Sequence, residues 1–279
     1  MISGKYNRKI RHMKKILFLT NFKNSDPEED RYLISILRNH FEIIPIHPLE
    51  CEQYLSVADG IIIRNIWPTY EYAEEWERFA GIIRDLKIPT YNPLTGKGDN
   101  RGKGYLVDLY RKGFPVIPSV DKVEDVNKLP ESEFYYIKPK DSCDGFGDQK
   151  LAGPELLEKD LKDFIIQPYE EFTSEPSFFF IDNVFSYAIV MPNRLDEKGI
   201  EQYEPTPADL DFAHKFVEWE SLPYGIQRVD AVRTKKGELL LTEDEDIAEY
   251  LYLFDLEERE RERVIYEIVF SVKKAFKIA

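Results

Sequence analysis

The sequence predicts an α/β protein, and three observations carry that expectation. Short apolar strands alternate with amphipathic helical stretches across the first hundred residues. Near 228–245, two strands carrying charged side chains flank a polar Lys-Lys-Gly turn. The chain then ends in a long stretch with one apolar helical face. Alternating strands and helices build a small parallel sheet, whereas strand–turn–strand builds an antiparallel hairpin.

With 279 residues, 43% hydrophobic and 32% charged, the chain can bury a substantial core and suits one or two compact domains. A net charge of −14 and a pI near 4.9 argue against broad binding to a nucleic-acid backbone. The longest apolar runs fall far short of the roughly 20 residues needed to cross a bilayer, so no membrane partner is expected. The basic run Lys5 to Lys15 lacks a signal-peptide core, because Ile16 to Leu19 is too short. His12 and Met13 directly before a strand mark residues 1–13 as a leader or cloning-derived segment. Cys51 and Cys143 imply no disulfide framework, and a reducing cytoplasm fits.

Lys15 to Thr20 reads as a buried strand. Ser25 or Asp26 can cap a following helix, with Pro27 in its first turn and Leu33, Ile36 and Leu37 on one face. Phe41 to Ile46 is a second strand, Gly60 to Arg64 a third, and a helix around Tyr70 to Leu86 leads to Ile88 to Asn92. No Gly-x-Gly-x-x-Gly follows the first strand, which excludes a dinucleotide fingerprint. Arg64, Asn65 and Trp67 fall at the carboxyl end of the third strand, where open α/β sheets bind ligands. Each taken alone reads as a surface-loop residue.

Within Asp99 to Pro118, Leu106, Leu109 and Tyr110 at i, i+3, i+4 support an amphipathic helix. Gly102-Lys103-Gly104 is not a phosphate-binding Walker loop, because no Gly stands five residues earlier and no Ser or Thr follows Lys103. Glu133 to Lys140 is a strand with Phe134, Tyr136 and Lys138 on one face. It runs into Asp141 to Asp148, whose glycines let backbone N–H groups approach an anion and whose Asp141, Asp144 and Asp148 make the turn acidic. Phe164 to Tyr169 and Glu175 to Ile181 are further strand patterns, with Phe178 to Ile181 buried. The stretch 192–213, with Pro192, Pro205 and Pro207, reads as a long polar loop on the substrate side or a lid. His12, His40, His47 and His214 show no metal-ligand spacing. Glu257 to Lys277 places Ile265, Ile268, Val269, Val272 and Phe276 on one face, with an acidic start and a basic end that suit a docking helix.

The hairpin carries the chemistry. Strand alternation points Arg228 and Asp230 one way, and groups Leu239, Leu241, Glu243 and Glu245. Pairing around residues 234–237 brings Asp230 within a residue or two of opposite Glu243. Three carboxylates then converge beside one guanidinium. Like charges ~4 Å apart cost roughly 1 kcal/mol even in water. A hard divalent cation removes that cost, and Mg²⁺ normally brings nucleotide phosphates. A solvated acidic hairpin is the alternative.

Arg228-x-Asp230, with Glu243-x-Glu245 beginning 13 residues after the Asp, resembles the metal-binding end of the ATP-grasp superfamily. The closest flavour is the glutathione-synthetase-like and D-alanine–D-alanine-ligase-like carboxylate–amine ligases. Their pattern also has a helix with a nucleotide lysine, matched by Lys103, then a strand lysine before a glycine-rich loop, matched by Lys138. An interdomain hinge follows, matched by Gln167 and Tyr169 at the adenine, with Glu175 at the ribose. The resemblance implies an N-terminal parallel-sheet (pre-ATP-grasp) domain over 14–97, then a two-lobed ATP-grasp domain over 98–279 with lobes about 98–168 and 169–279. It implies ATP and Mg²⁺, with Asp230, Glu243 and Glu245 holding the metal and Arg228 facing the transferring phosphoryl group.

The implied reaction joins a small-molecule carboxylate to an amine, and a homodimer is compatible with it. Absence of a Ser-His-Asp or Cys-His signature agrees, since phosphoryl transfer needs positioned charge. Two alternatives stay open: a kinase acting on a hydroxyl, and a nucleotide-binding module without turnover.

Overall fold

The computed structural model describes residues 13–21, 28–66, 69–142, 145–192 and 199–278. Residues 1–12, the cap candidates Ser25, Asp26 and Pro27, Trp67, and Asp144 of the acidic turn lie outside the described residues.

The N-terminal lobe comprises β1 (Lys15–Leu19), α1 (Glu28–Leu37), β2 (Glu42–Ile46), β3 (Gly60–Ile63), α2 (Ala73–Leu86) and β4 (Thr90–Tyr91). Its parallel sheet has the order β2-β1-β3-β4. Ile16 to Leu19 are wholly buried because both faces of the sheet are covered. Ile16, Phe18 and Ile62 pack with Leu33 and Leu37 of α1, while Leu17, Leu19, Ile61 and Ile63 pack with Trp76, Phe79 and Ile83 of α2.

The rest of the chain contributes α3 (Tyr105–Arg111), β5 (Phe134–Pro139), β6 (Gln149–Ala152), β7 (Phe164–Pro168), β8 (Phe172–Ile181), β9 (Val184–Met191), β10 (Glu201–Gln202), α4 (Pro207–Glu220), β11 (Ile226–Thr234), β12 (Leu239–Glu245) and α5 (Glu258–Ala275). Two antiparallel sheets result, β6-β5-β7 and β10-β9-β8-β11-β12. In the larger sheet, Phe178, Phe180, Val229, Ala231, Leu239 and Leu241 are sealed by Leu106 and Leu109 of α3 and by Phe212 and Phe216 of α4. The opposite face divides. Phe179, Ile181 and Ile226 share a core with α5 and the N-terminal sheet, while Glu175, Ser177, Arg228 and Asp230 border a cavity. Helix α5 docks as expected, through Ile265, Ile268, Val269, Val272 and the following Phe276. Gly60 admits it, since a Cβ there would stand 2.6 Å from the Phe276 ring. Among the described residues no helix is long and apolar enough to cross a membrane.

Two sequence expectations need correction, and one helix is shorter than its segment. The 192–213 loop is not loop to its end: β10 and the first half of α4 fall inside it. Helix α4 starts because Thr206 and Asp209 form a reciprocal capping box around Pro207. The helix expected within Asp99–Pro118 is present as the short α3, which carries Leu106, Leu109 and Tyr110 and follows a 3-10 turn at Asp99–Arg101. Strict alternation also fails in β12. The register steps from Asp230↔Glu243 to Ala231↔Leu241, leaving Thr242 as an extra residue. That bulge turns Leu239, Leu241 and Asp244 toward the buried side, while Glu243 joins Asp230 at the cavity.

Candidate active site

A cavity of about 540 Å³ opens between the two antiparallel sheets. Its small-sheet wall carries Tyr136 and Lys138 of β5, Gln167 of β7 and the following Tyr169, with Gly145 and Asp148 from the intervening turn. Gln167 is fully buried and fixed: its Nε2 donates to Ser119 Oγ at 2.9 Å, and that hydroxyl donates to the Ile117 carbonyl at 2.7 Å. Tyr169 stacks on Tyr136 with centroids 6.4 Å apart, and the Lys150 ammonium lies 3.4 Å from the Tyr169 ring centroid. Glu175 of β8 lines the same cavity.

The hairpin register places Asp230 directly opposite Glu243 and Arg228 opposite Glu245. Arg228 is nearly consumed by its neighbours. Its Nε donates to both Asp230 oxygens at 3.0 Å, its Nη2 to Asp230 at 2.8 Å and to Glu245, and its Nη1 to the Tyr250 carbonyl at 3.0 Å. Burial opposes the Arg228 charge, but Asp230 and Glu245 outweigh it and hold the guanidinium firmly protonated.

Asp99, Glu243 and Glu245 each turn an oxygen into a group whose members lie within 4.8 Å of one another. Hard carboxylate oxygens in that arrangement suit a divalent cation such as Mg²⁺. The buried Lys103 ammonium contacts Glu243 Oε1 and lies 3.6 Å from Asp99 Oδ2. Burial pushes the Asp99 carboxyl up to about 6 against the pull of Lys103. It raises Glu245 well above the usual range despite Arg228. For Glu243 burial is outweighed by Lys103 and Lys138, and its carboxyl is lowered.

Of the sequence candidates, Lys138, Gln167, Tyr169, Glu175, Arg228, Asp230 and Glu243 line the cavity. Glu245 and Lys103 adjoin that wall through Arg228 and Glu243. Asp99 was not among the candidates. Its spacing of four from Lys103 was visible, but its approach to Glu243 depends on tertiary folding. Nor were the residues that hold its loop. Asp246 accepts the N–H of Gly98 at 3.1 Å and of Asn100 at 2.8 Å, and Glu220 accepts that of Lys97 at 2.8 Å. A Cβ at Gly96 would fall 1.9 Å from Asp246 Oδ2 and one at Gly98 2.2 Å from the Asp244 carbonyl oxygen, so the two glycines let the loop lie this close to the end of β12.

The sequence matches no protein-family model and no curated protein. Solved structures do match. D-cycloserine synthetase DcsG superposes with a TM-score of 0.72 at 20% identity, over 91% of this chain and 99% of that one. D-alanine–D-alanine ligase from Bacillus anthracis, solved with ATP, gives a TM-score of 0.64 at 14% identity, over 95% and 99%. The ATP-grasp ligase PsnB, solved with a minimal precursor, gives 0.61 at 15% identity, over 85% and 92%. The chain has the ATP-grasp fold.

In this ATP-grasp fold the N-terminal lobe reaches the segment after β12 through a buried ion cluster. Arg64, expected by itself to be a surface-loop residue, is 3% exposed. Its guanidinium lies 3.0 Å from Glu29, 3.4 Å from Asp30 and 3.5 Å from Glu249. Glu29 also accepts the Leu251 N–H at 3.0 Å. Burial, opposed by Arg64, pushes Glu29 and Glu249 each up to about 7.

Proposed function

We propose that this protein is an ATP-dependent ligase that joins a carboxylate to an amine through an acylphosphate. The observation that carries the reading is the cavity between the two sheets, bordered by Lys138, Arg228, Asp230 and Glu243 as well as by the Gln167–Tyr169 hinge and Glu175. Residues 14–97 serve as the N-terminal domain and 98–279 as the ATP-grasp domain, with the nucleotide between lobes 98–168 and 169–279.

Gln167 and Tyr169 take the adenine, Glu175 accepts from the ribose hydroxyls, and Lys103 and Lys138 hold the phosphates. Asp230, Glu243 and Glu245 would hold Mg²⁺, which when bound neutralises phosphate oxygens during transfer. A substrate carboxylate oxygen attacks the γ-phosphorus, the bond to the bridging oxygen breaks, and ADP leaves. The amine then attacks the acylphosphate carbonyl carbon, loses a proton and expels phosphate, giving the amide. Arg228 stabilises the charge that develops on the phosphoryl group in flight.

The test is ATP turnover across panels of small acids and amines. The panel includes peptides, because PsnB is also solved with a precursor peptide. Ligation releases ADP and free phosphate in step with amide, and hydroxylamine intercepts the acylphosphate as a hydroxamate. ADP release with a phosphorylated alcohol and no free phosphate would instead identify a kinase.

A further inference from the structure

Lys103 is 1% exposed and lies among carboxylates. Its ammonium contacts Glu243 and lies 3.6 Å from Asp99, two of the three residues whose oxygens cluster within 4.8 Å. The Arg228 donors are directed instead to Asp230, Glu245 and the Tyr250 carbonyl. Lys103 is therefore a counter-ion shared by Glu243 and Asp99. Its backbone is anchored, since its N–H donates to the Lys140 carbonyl at 2.8 Å, so only the side chain is left to move.

We propose that Lys103 is a resident cation that competes with a divalent ion for Asp99 and Glu243, and that nucleotide phosphates relieve the competition by drawing the ammonium away. The inference rests on the metal reading of the carboxylates above, and adds to it Asp99 and the exchange.

A Mg²⁺ ion lies about 2.0–2.1 Å from its oxygen ligands. An ammonium touching one of those oxygens would stand within ~5 Å of the ion, where like charges repel strongly if water is excluded. Metal entry thus displaces Lys103, and a displaced ammonium left without a partner in a buried site is unfavourable. The ion alone is consequently held weakly. Phosphate oxygens in the cavity beside Glu243 supply new acceptors, and a flexible lysine stem suits the handover. Metal and nucleotide then raise each other's affinity by one and the same factor.

The deciding measurement is calorimetric titration of the nucleotide-free, full-length protein with Mn²⁺. Lys103→Met should bind the ion at least ~10-fold more tightly than the unsubstituted protein, on the scale of ordinary site coupling. Adding Asp99→Asn should remove the gain. Equal or weaker binding by a folded Lys103→Met protein overturns the proposal. A second arm needs no substitution: reductive methylation of Lys103, read by mass spectrometry. Labelling should be slow in the free protein, faster with saturating Mn²⁺, and slow again with Mn²⁺ and ATP. Labelling indifferent to Mn²⁺ overturns the exchange. Amide formation without the gain in Mn²⁺ affinity refutes the exchange alone. The gain without ATP turnover on any substrate sustains the exchange and refutes the ligase reading.

Discussion

Arg228 is where neutralisation and catalysis are hardest to separate. Four of its five N–H groups are engaged, by Asp230, Glu245 and the Tyr250 carbonyl. A purely neutralising role needs only a positive charge, which lysine supplies, whereas a role in phosphoryl transfer uses the planar fork. Arg228→Lys is therefore expected to keep its fold and near-normal Mg-ATP affinity, with turnover reduced roughly 10²-fold, the scale of losing one transition-state donor. Unchanged ADP release by that variant would leave Arg228 as a counter-ion only. Glu175 poses a simpler question, because its proposed partner is the ribose. Glu175→Ala should weaken ATP more than it weakens inorganic triphosphate, and equal weakening by calorimetry would remove it from the ribose.

At the scale of elements, legibility followed the range of the interaction. The β11–β12 hairpin was readable because a polar turn fixes a local register, and Asp230 does face Glu243. The bulge at Thr242 was not: residue period alone groups Leu241 with Glu243, and only packing of Leu241 under α3 and α4 together with Glu243 at the cavity requires an extra residue. Asp99 stayed hidden for the same reason, its partner Glu243 being supplied by folding and not by spacing. Helix α4 was a lost opportunity, since Thr206-Pro207-Ala208-Asp209 is a local start signal. That start bears weight. Burial would raise Asp209, but the Tyr203 hydroxyl, Arg233 and Thr206 outweigh it and bring the carboxyl down to about 2 from an ordinary 3.8. A depressed carboxyl stabilises the fold in full above its unfolded value, and that contribution disappears as pH falls from about 4 toward 2. Asp209→Asn should then cost about 1–2 kcal/mol at neutral pH, as lost caps do. The gap between variant and parent urea midpoints should shrink as pH falls from about 4 and close only near pH 2, and a gap unchanged between pH 4 and pH 2 would mean packing, not charge, sets the cost.

At the scale of the whole molecule, the N-terminal lobe is joined to the large sheet and the segment after it by a core and a charge cluster of opposite character. The core is apolar: Ile16, Phe18 and Ile62 of the N-terminal sheet, Phe179 and Ile226 of the large sheet, and the inner face of α5 form one continuous cluster. The charge cluster gathers Glu29, Asp30 and Glu249 around Arg64, with Tyr187 and Arg228 close enough to influence it. One guanidinium cannot neutralise three buried carboxylates, so the native state retains protons there, and Glu29 and Glu249 are each pushed up to about 7 from an ordinary 4.5. The sign follows from linkage. Between about pH 4.5 and 7 the native protein binds protons that the unfolded chain has released, so this contribution is complete below the unfolded value and declines as pH rises through the folded one. Each such group adds a slope of up to about 1.4 kcal/mol per pH unit across that window. Stability measured by denaturant titration should therefore fall from pH 5 to pH 7.5. Glu249→Gln, which fixes the neutral form while keeping the amide's hydrogen-bonding shape, should flatten that decline. A slope unaltered by Glu249→Gln would place the retained proton elsewhere and reduce the cluster to a permanently charged clamp.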